Sequence, residues 1–258
     1  MILFKKLLII SLKKLDLGSA LAVRLTKLTG KSKEPIHPKH LLTQRPWFLK
    51  YLTKSDLILD LGCGNGQNAI KASQKVRKII GIDLDESMIE IAKRSSQRLG
   101  IKNVKFETAN LENKLKYEDN SFDKIMFLDV LEHLRKRNQI LKEIKRVLKP
   151  QGLLFLGVPN SQTSWKKLQR SVGFNSYSDP GHKIEYSEVE IKSLLKKQAF
   201  KIERFDYGKF DTPFRGIFDI IGGISLSLYG KLSDWRQKKT SKNPQEATGF
   251  EIVAVSVK

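Results

Sequence analysis

The chain has 258 residues, 40% of them hydrophobic and 29% charged, enough to bury one sizeable core or one core with a small appendage. Its single cysteine, Cys63, excludes an intrachain disulfide and any zinc cluster built from cysteines. The formal net charge is +21, and residues 1–54 hold 12 Lys/Arg against 2 Asp/Glu. Nearly half of the excess thus sits in the first fifth of the chain, which predicts a docking arm rather than a uniformly nucleic-acid-binding domain.

The arm, residues 1–54, begins MILFKKLLIISLKKLDLGSALAVRLTKLTGK, an apolar stretch interrupted by Lys5, Lys6, Lys13, Lys14, Arg24 and Lys27. No uncharged run reaches the ~18 residues of a membrane span. The lysines also break the apolar centre that a signal peptide needs. On a helical wheel at about 100° per residue, Lys6, Lys13 and Lys14 fall within about a third of a turn. Two placements follow: a helix packed on the domain, or a helix lying on an anionic membrane surface.

From Leu57 onward, short apolar runs alternate with helical patterns. The runs are LILDLG (57–62), RKIIGID (77–83), NVKFETA (103–109), FDKIMFLDV (122–130) and GLLFLGVP (152–159). Between them lie QNAIKASQ, DESMIEIAKRSSQRLG with Gly100 as a helix stop, and RNQILKEIKRVLKPQG. This alternation predicts an α/β fold, a parallel sheet with helices on both faces and ligands at the carboxyl ends of its strands.

At the end of the first run the chain reads LDLGCGNGQ. Gly62, Gly64 and Gly66 let the backbone bend sharply and let a ligand approach main-chain atoms. A dinucleotide fingerprint would need G-x-G-x-x-G, and its third glycine would fall on Gln67. The G-x-G-x-G spacing instead resembles motif I of class I S-adenosylmethionine-dependent methyltransferases. The second run agrees, because it ends in Asp83, where a carboxylate can accept hydrogen bonds from two vicinal ribose hydroxyls. Asp85, just before ESMIEIA, suits a helix cap. The resemblance continues through FDKIMFLDVLEHL, LKPQGLLFLGVPN and the closing GFEIVAVSVK, covering 55–208 and 249–258. It lies closest to the small-molecule branch, the ubiquinone- and menaquinone-biosynthesis type.

That resemblance implies a Rossmann-like seven-stranded, mostly parallel sheet with an antiparallel last strand, plus helical additions. It implies S-adenosyl-L-methionine as cofactor, held by Asp60, Gly62, Gly64, Gly66, Asp83, Leu84, Asn110, Leu111 and Leu128. Asn110 departs from the pattern, standing where the family usually offers an acidic residue to the adenine amino group. For the acceptor side, His133 closes DVLEHL beside the fourth strand, and His182 lies in SDPGHKIEYS before a helical EVEIKSLLKKQ. Both are candidate general bases. The ubiquinone-type relatives also bind a divalent metal through an acidic-x-x-Glu-His run, which Asp129, Glu132 and His133 would match; an oxygen-rich set of that kind suits Mg²⁺.

The acceptor is narrowed by what is missing. FLDVLEH is not the Asn/Asp-Pro-Pro-aromatic run of nucleobase amino methylases, and the lone cysteine sits in the glycine turn, away from any C5-pyrimidine route. Two stretches outside the core carry the specificity. Residues 160–182, NSQTSWKKLQRSVGFNSYSDPGH, are long for a connection and predict a substrate lid. Residues 209–248 form an apolar and basic insertion, either a helical pair folded on the core or an interface element in which Tyr229 and Trp235 stand with Lys231, Arg236, Lys238 and Lys239. The expectation is a cytoplasmic methyltransferase, peripheral on the inner membrane face, moving a methyl group to a hydroxyl of a small or lipid-like acceptor. An RNA methyltransferase using the basic arm, or a cofactor-binding protein without catalysis, are the competing readings.

Overall fold

The computed structural model describes residues 2–16, 18–42 and 46–257, and the side chains of residues 1–5, 15–17, 43–45 and 258, Lys5 of the basic arm among them, lie outside the described residues. The strands are β1 (Leu57–Leu61), β2 (Lys78–Asp83), β3 (Val104–Thr108), β4 (Phe122–Leu128), β5 (Leu148–Pro159), β6 (Phe200–Tyr207) and β7 (Gly249–Ser256). The helices are α1 (Ile2–Asp16), α2 (Gly18–Leu28), α3 (Pro38–Leu41), α4 (Gln67–Ser73), α5 (Glu86–Arg98), α6 (Arg137–Val147), α7 (Ser164–Ser171), α8 (Glu188–Lys197), α9 (Arg215–Ile224) and α10 (Leu226–Lys242). They fall into two compact units: residues 45–159, 179–206 and 250–258 in one, and 1–44, 160–178 and 207–249 in the other.

The first unit is built on the sheet, whose order is β3-β2-β1-β4-β5-β7-β6. The β1–β2, β1–β4, β2–β3 and β4–β5 pairs are all parallel. β7 lies between β5 and β6 as the antiparallel strand, and the antiparallel bridge of Phe210 to Ala247 continues its pairing with β6. Ile58, Leu59 and Leu61 of β1 are fully buried, as a strand covered on both faces requires. Chain reversal at α5 is written locally. Asp85 caps its start by accepting from Ser87 N and Met88 N. Gly100, at φ +65°, ends it with Gly100 N and Ile101 N donating to Gln97 O and Ser96 O.

Two elements differ from the sequence pattern. The helical run RNQILKEIKRVLKPQG stops at Val147, and β5 begins at Leu148, four residues before GLLFLGVP. Pro150 lacks an N–H and biases Lys149 away from the helical region, so the chain extends early. β6, between α8 and the insertion, adds a strand that no apolar run marks. Residues 46–54, read with the basic arm, pack in the sheet unit, where Phe48 stacks on Phe155 with ring centroids 6.1 Å apart.

In the helical unit the arm forms α1, α2 and the short α3, and the insertion forms the pair α9 and α10. α2 and α9 approach closely because a Cβ on Gly18 would lie 2.5 Å from Gly216 O, and one on Gly223 2.7 Å from Leu25 Cβ. Asp219 of α9, only 3% exposed, holds these helices together. It accepts from Ser19 Oγ (2.5 Å) and Tyr229 OH (2.9 Å) and faces His37 Nε2 at 3.3 Å. Burial opposes its charge, but His37, Ser19 and Tyr229 together hold its carboxyl below the usual range. Its stabilising effect is therefore present above the ordinary carboxylate pKa and is lost as pH falls through the depressed one. Asp219→Ala strands three donors and is expected to cost about 3 kcal/mol, read as a lowered urea midpoint.

Candidate cofactor and acceptor site

The carboxyl ends of β1, β2 and β4 converge on the glycine turn. Gly62, Gly64 and Gly66 all have positive φ, at +70°, +49° and +75°. Their surroundings separate their roles. A Cβ on Gly62 would lie 2.4 Å from Val130 Cγ2, and one on Gly66 would lie 2.6 Å from Phe106 Cζ, so packing alone requires glycine at both. Gly64 meets nothing within 4 Å, so its bare backbone faces open space.

Asp83 ties this turn to the end of β2. Its Oδ2 accepts from Gly64 N at 2.8 Å and its Oδ1 from Asp85 N at 3.0 Å, leaving each oxygen further acceptor capacity. Behind it stands Asp60, 2% exposed, whose Oδ2 has no hydrogen-bond partner among the described residues. Burial, then the neighbouring Asp83, pushes the Asp60 carboxyl up to about 7. The stabilising effect of this group is thus fully present below its unfolded pKa near 3.8 and lost as pH rises toward 7, so its ionised form calls for a cation. Burial, with Asp60 and Asp83, also pushes the Cys63 thiol far up, which leaves it protonated and inert as a nucleophile.

The other expected cofactor neighbours are spread around the same edge. Leu84 is exposed just beyond β2, whereas Leu111 is buried. Asn110 is exposed and its Oδ1 accepts from Glu112 N at 2.8 Å, so the turn already engages the oxygen expected to meet adenine. Leu128, at the end of β4, packs against the buried core.

After β4 the chain turns sharply. Asp129 is exposed at φ +58°, and its N–H donates to Gly157 O at 3.0 Å. The run Leu131–His133 forms one 3-10 turn with Val130 at its N-cap, and α6 starts only at Arg137 with Lys136 at its N-cap. The turn presents His133 against His182, ring centroids 4.6 Å apart and planes at 78°. His182 is held there by Glu185, with Nδ1 2.9 Å from Oε1, and its Nε2 lies 3.8 Å from Glu132 Oε1. Lys183 N donates to Glu132 O at 2.8 Å and fastens the loop to the turn. Burial, then the adjacent His182, lowers the His133 pKa below the ordinary histidine value.

Donor atoms of Glu132, His133 and His182 lie within 4.8 Å of one another, and Asp129 is not in that group. Two imidazoles and one carboxylate differ from the oxygen-rich set that Mg²⁺ takes. Glu185 escaped the sequence reading; its only signal is the three-residue step from His182 in HKIE.

A family model described as a methyltransferase domain matches residues 52–212. The chain belongs to the methyltransferase domain family. Its relatives include the uncharacterised methyltransferase YcgJ of Bacillus subtilis, 30% identical over 159 residues, 61% of each chain. The solved YcgJ structure superimposes with a TM-score of 0.55 over 81% of this chain and 93% of that one, at 22% identity. The 27-O-demethylrifamycin SV methyltransferase of Amycolatopsis mediterranei is 36% identical over 45% of this chain and 43% of its own. The ubiquinone biosynthesis O-methyltransferase of Coxiella burnetii is 29% identical over 48% and 53%. The chain thus spans about half the length of the curated relatives it matches.

S-adenosylmethionine, the cofactor this methyltransferase family implies, fits the site on two counts: the open space over Gly64 and the uncompensated buried carboxyl of Asp60. Substitution should separate the glycines. Gly64→Ala costs about 1 kcal/mol of left-handed strain, so the variant should fold yet bind S-adenosylhomocysteine at least ~10-fold more weakly by calorimetry. Gly66→Ala, forced against Phe106, should lower the melting temperature markedly instead.

Proposed function

We propose that the chain transfers the methyl group of S-adenosylmethionine to a hydroxyl oxygen of a small or lipid-like acceptor at a membrane surface. The observation that carries the hydroxyl is His133 packed on His182, itself held by Glu185, on the turn whose Val130 abuts the glycine loop. Two relatives named for O-methylation support the same choice.

Asp83 and the backbone over Gly64 would hold the nucleoside and methionyl parts, Leu84 and Leu111 would flank the adenine, and ionised Asp60 would offset the cofactor's positive charge. When bound, the cofactor supplies an electrophilic methyl group on a sulfonium sulfur. The chain's own task is to align the acceptor oxygen in line with that methyl and to take its proton. A ring nitrogen of His133 would accept that proton as the acceptor oxygen takes up the methyl group. Glu185 fixes the orientation of His182, and burial, with His182 beside it, lowers the pKa of His133.

His133→Gln should lower kcat by about 10²–10⁴ while leaving S-adenosylhomocysteine affinity within about two-fold. In the intact enzyme the acid limb of kcat/KM should fall below the ordinary histidine pKa. His182→Gln removes the neighbour that depresses His133, so that limb should move to higher pH. With a labelled methyl donor, label is expected in hydroxyl-bearing molecules of a lipid or metabolite extract. Label confined to the RNA fraction would replace this reading with RNA methylation.

A further inference from the structure

The basic arm does not offer its charges evenly. Lys6 and Lys13 of α1 turn toward Phe174 of the same unit, with Nζ atoms 5.9 and 5.8 Å from its ring centroid. Exposed apolar and basic residues gather instead where α2 and α9 end side by side. Thr29 Oγ1 donates to Gly223 O at 2.7 Å, which pins the end of α2 to the end of α9. The residues next to that bond are Leu28, 79% exposed, and Ile224, 57% exposed, and Leu228, 52% exposed, stands in the first turn of α10 after the extended Ser225.

These three large apolar side chains project into solvent at one end of the helical unit. Around them Arg24, Lys27, Lys31 and Lys231 are exposed or partly so. Neither 18–33 nor 220–233 contains a single Asp or Glu. Scattered exposed leucines are ordinary, but an apolar tip with a mainly cationic rim, Glu34 and Asp234 being the acidic residues next in sequence after Lys31 and Lys231, suits a partner that is apolar inside and anionic at its surface. Lysine and arginine stems can lie along the apolar tip while their charges reach outward. No helix among the described residues is long and apolar enough to cross a membrane, so the tip would enter the headgroup region without spanning.

We infer that the end of the helical unit formed by Leu28, Ile224 and Leu228, with Arg24, Lys27, Lys31 and Lys231 around it, docks on a bilayer carrying anionic phospholipids. The inference rests on the membrane-surface part of the function proposed above and names the face that makes the contact. The apolar tip provides burial among acyl chains and the rim provides attraction to headgroup phosphates, the two signals that stable surface attachment takes.

The test is flotation of the full chain with phosphatidylcholine vesicles, with and without 30% phosphatidylglycerol as a chosen probe composition, next to two variants. One is Leu28→Glu/Ile224→Glu/Leu228→Glu; the other is Leu7→Glu/Leu8→Glu on the exposed face of α1. Calorimetric S-adenosylhomocysteine binding reports that each variant is folded. The inference expects binding only with the anionic lipid, loss of at least ~10-fold in the triple variant, and near-intact binding in the α1 variant. Equal binding by the triple variant, or loss only in the α1 variant, overturns the assigned face while the membrane reading stands. No binding by the intact chain to either vesicle overturns both. Dimerisation through the tip, seen as a mass change by light scattering that the triple variant abolishes without lipid, assigns the face to a second copy and overturns the inference.

Discussion

The Asp83 carboxylate is the constraint on which the site depends. By accepting from Gly64 N and Asp85 N, it fastens the glycine turn after β1 and the first turn of α5 to one strand end. The chain thereby arranges three functions within one local network. The turn stays open over Gly64, α5 starts under its Asp85 cap, and a carboxylate with spare acceptor capacity faces the opening. Asp60 underlies this arrangement at a cost, since its buried carboxyl is pushed up to about 7 until a cation is brought near. A site that leaves a carboxyl uncompensated in this way is stabilised by its ligand more than a satisfied one would be.

On the other side of the opening, strain and packing act together with hydrogen bonds. Asp129 adopts a left-handed conformation that side chains other than glycine rarely take, and Val130 fills the space a Cβ on Gly62 would need. Strained backbone at a strand end re-aims the chain, here so that His133 faces His182 rather than solvent. Glu185 and Glu132 then bracket His182 from two sides.

Much of the sheet was legible because its strands are buried on both faces and read as apolar runs between helical patterns. Gly62, Gly64, Gly66 and Asp83 were legible as types at a spacing, but the spacing could not say that Gly64 alone opens on empty space. β6 was illegible because an edge strand beside a helix carries charge on its outward positions, as in FKIERFDY. The early start of β5 was hidden by an apolar run that begins only after Pro150. The pairing of His133 with His182 joins residues 49 apart, and no local pattern encodes it. The same limit applies to Asp129, whose letters fit a metal run although it is not among the clustered donors Glu132, His133 and His182.

The central claim is that the opening over Gly64, bounded by Asp60 and Asp83, holds the cofactor. Hydrogen–deuterium exchange of the full chain with and without S-adenosylhomocysteine tests it most directly. Slowed exchange is expected in residues 60–67, 83–88 and 109–112, with residues 18–31 and 220–231 unchanged. Protection absent from the glycine turn, or confined to the helical unit, would contradict it.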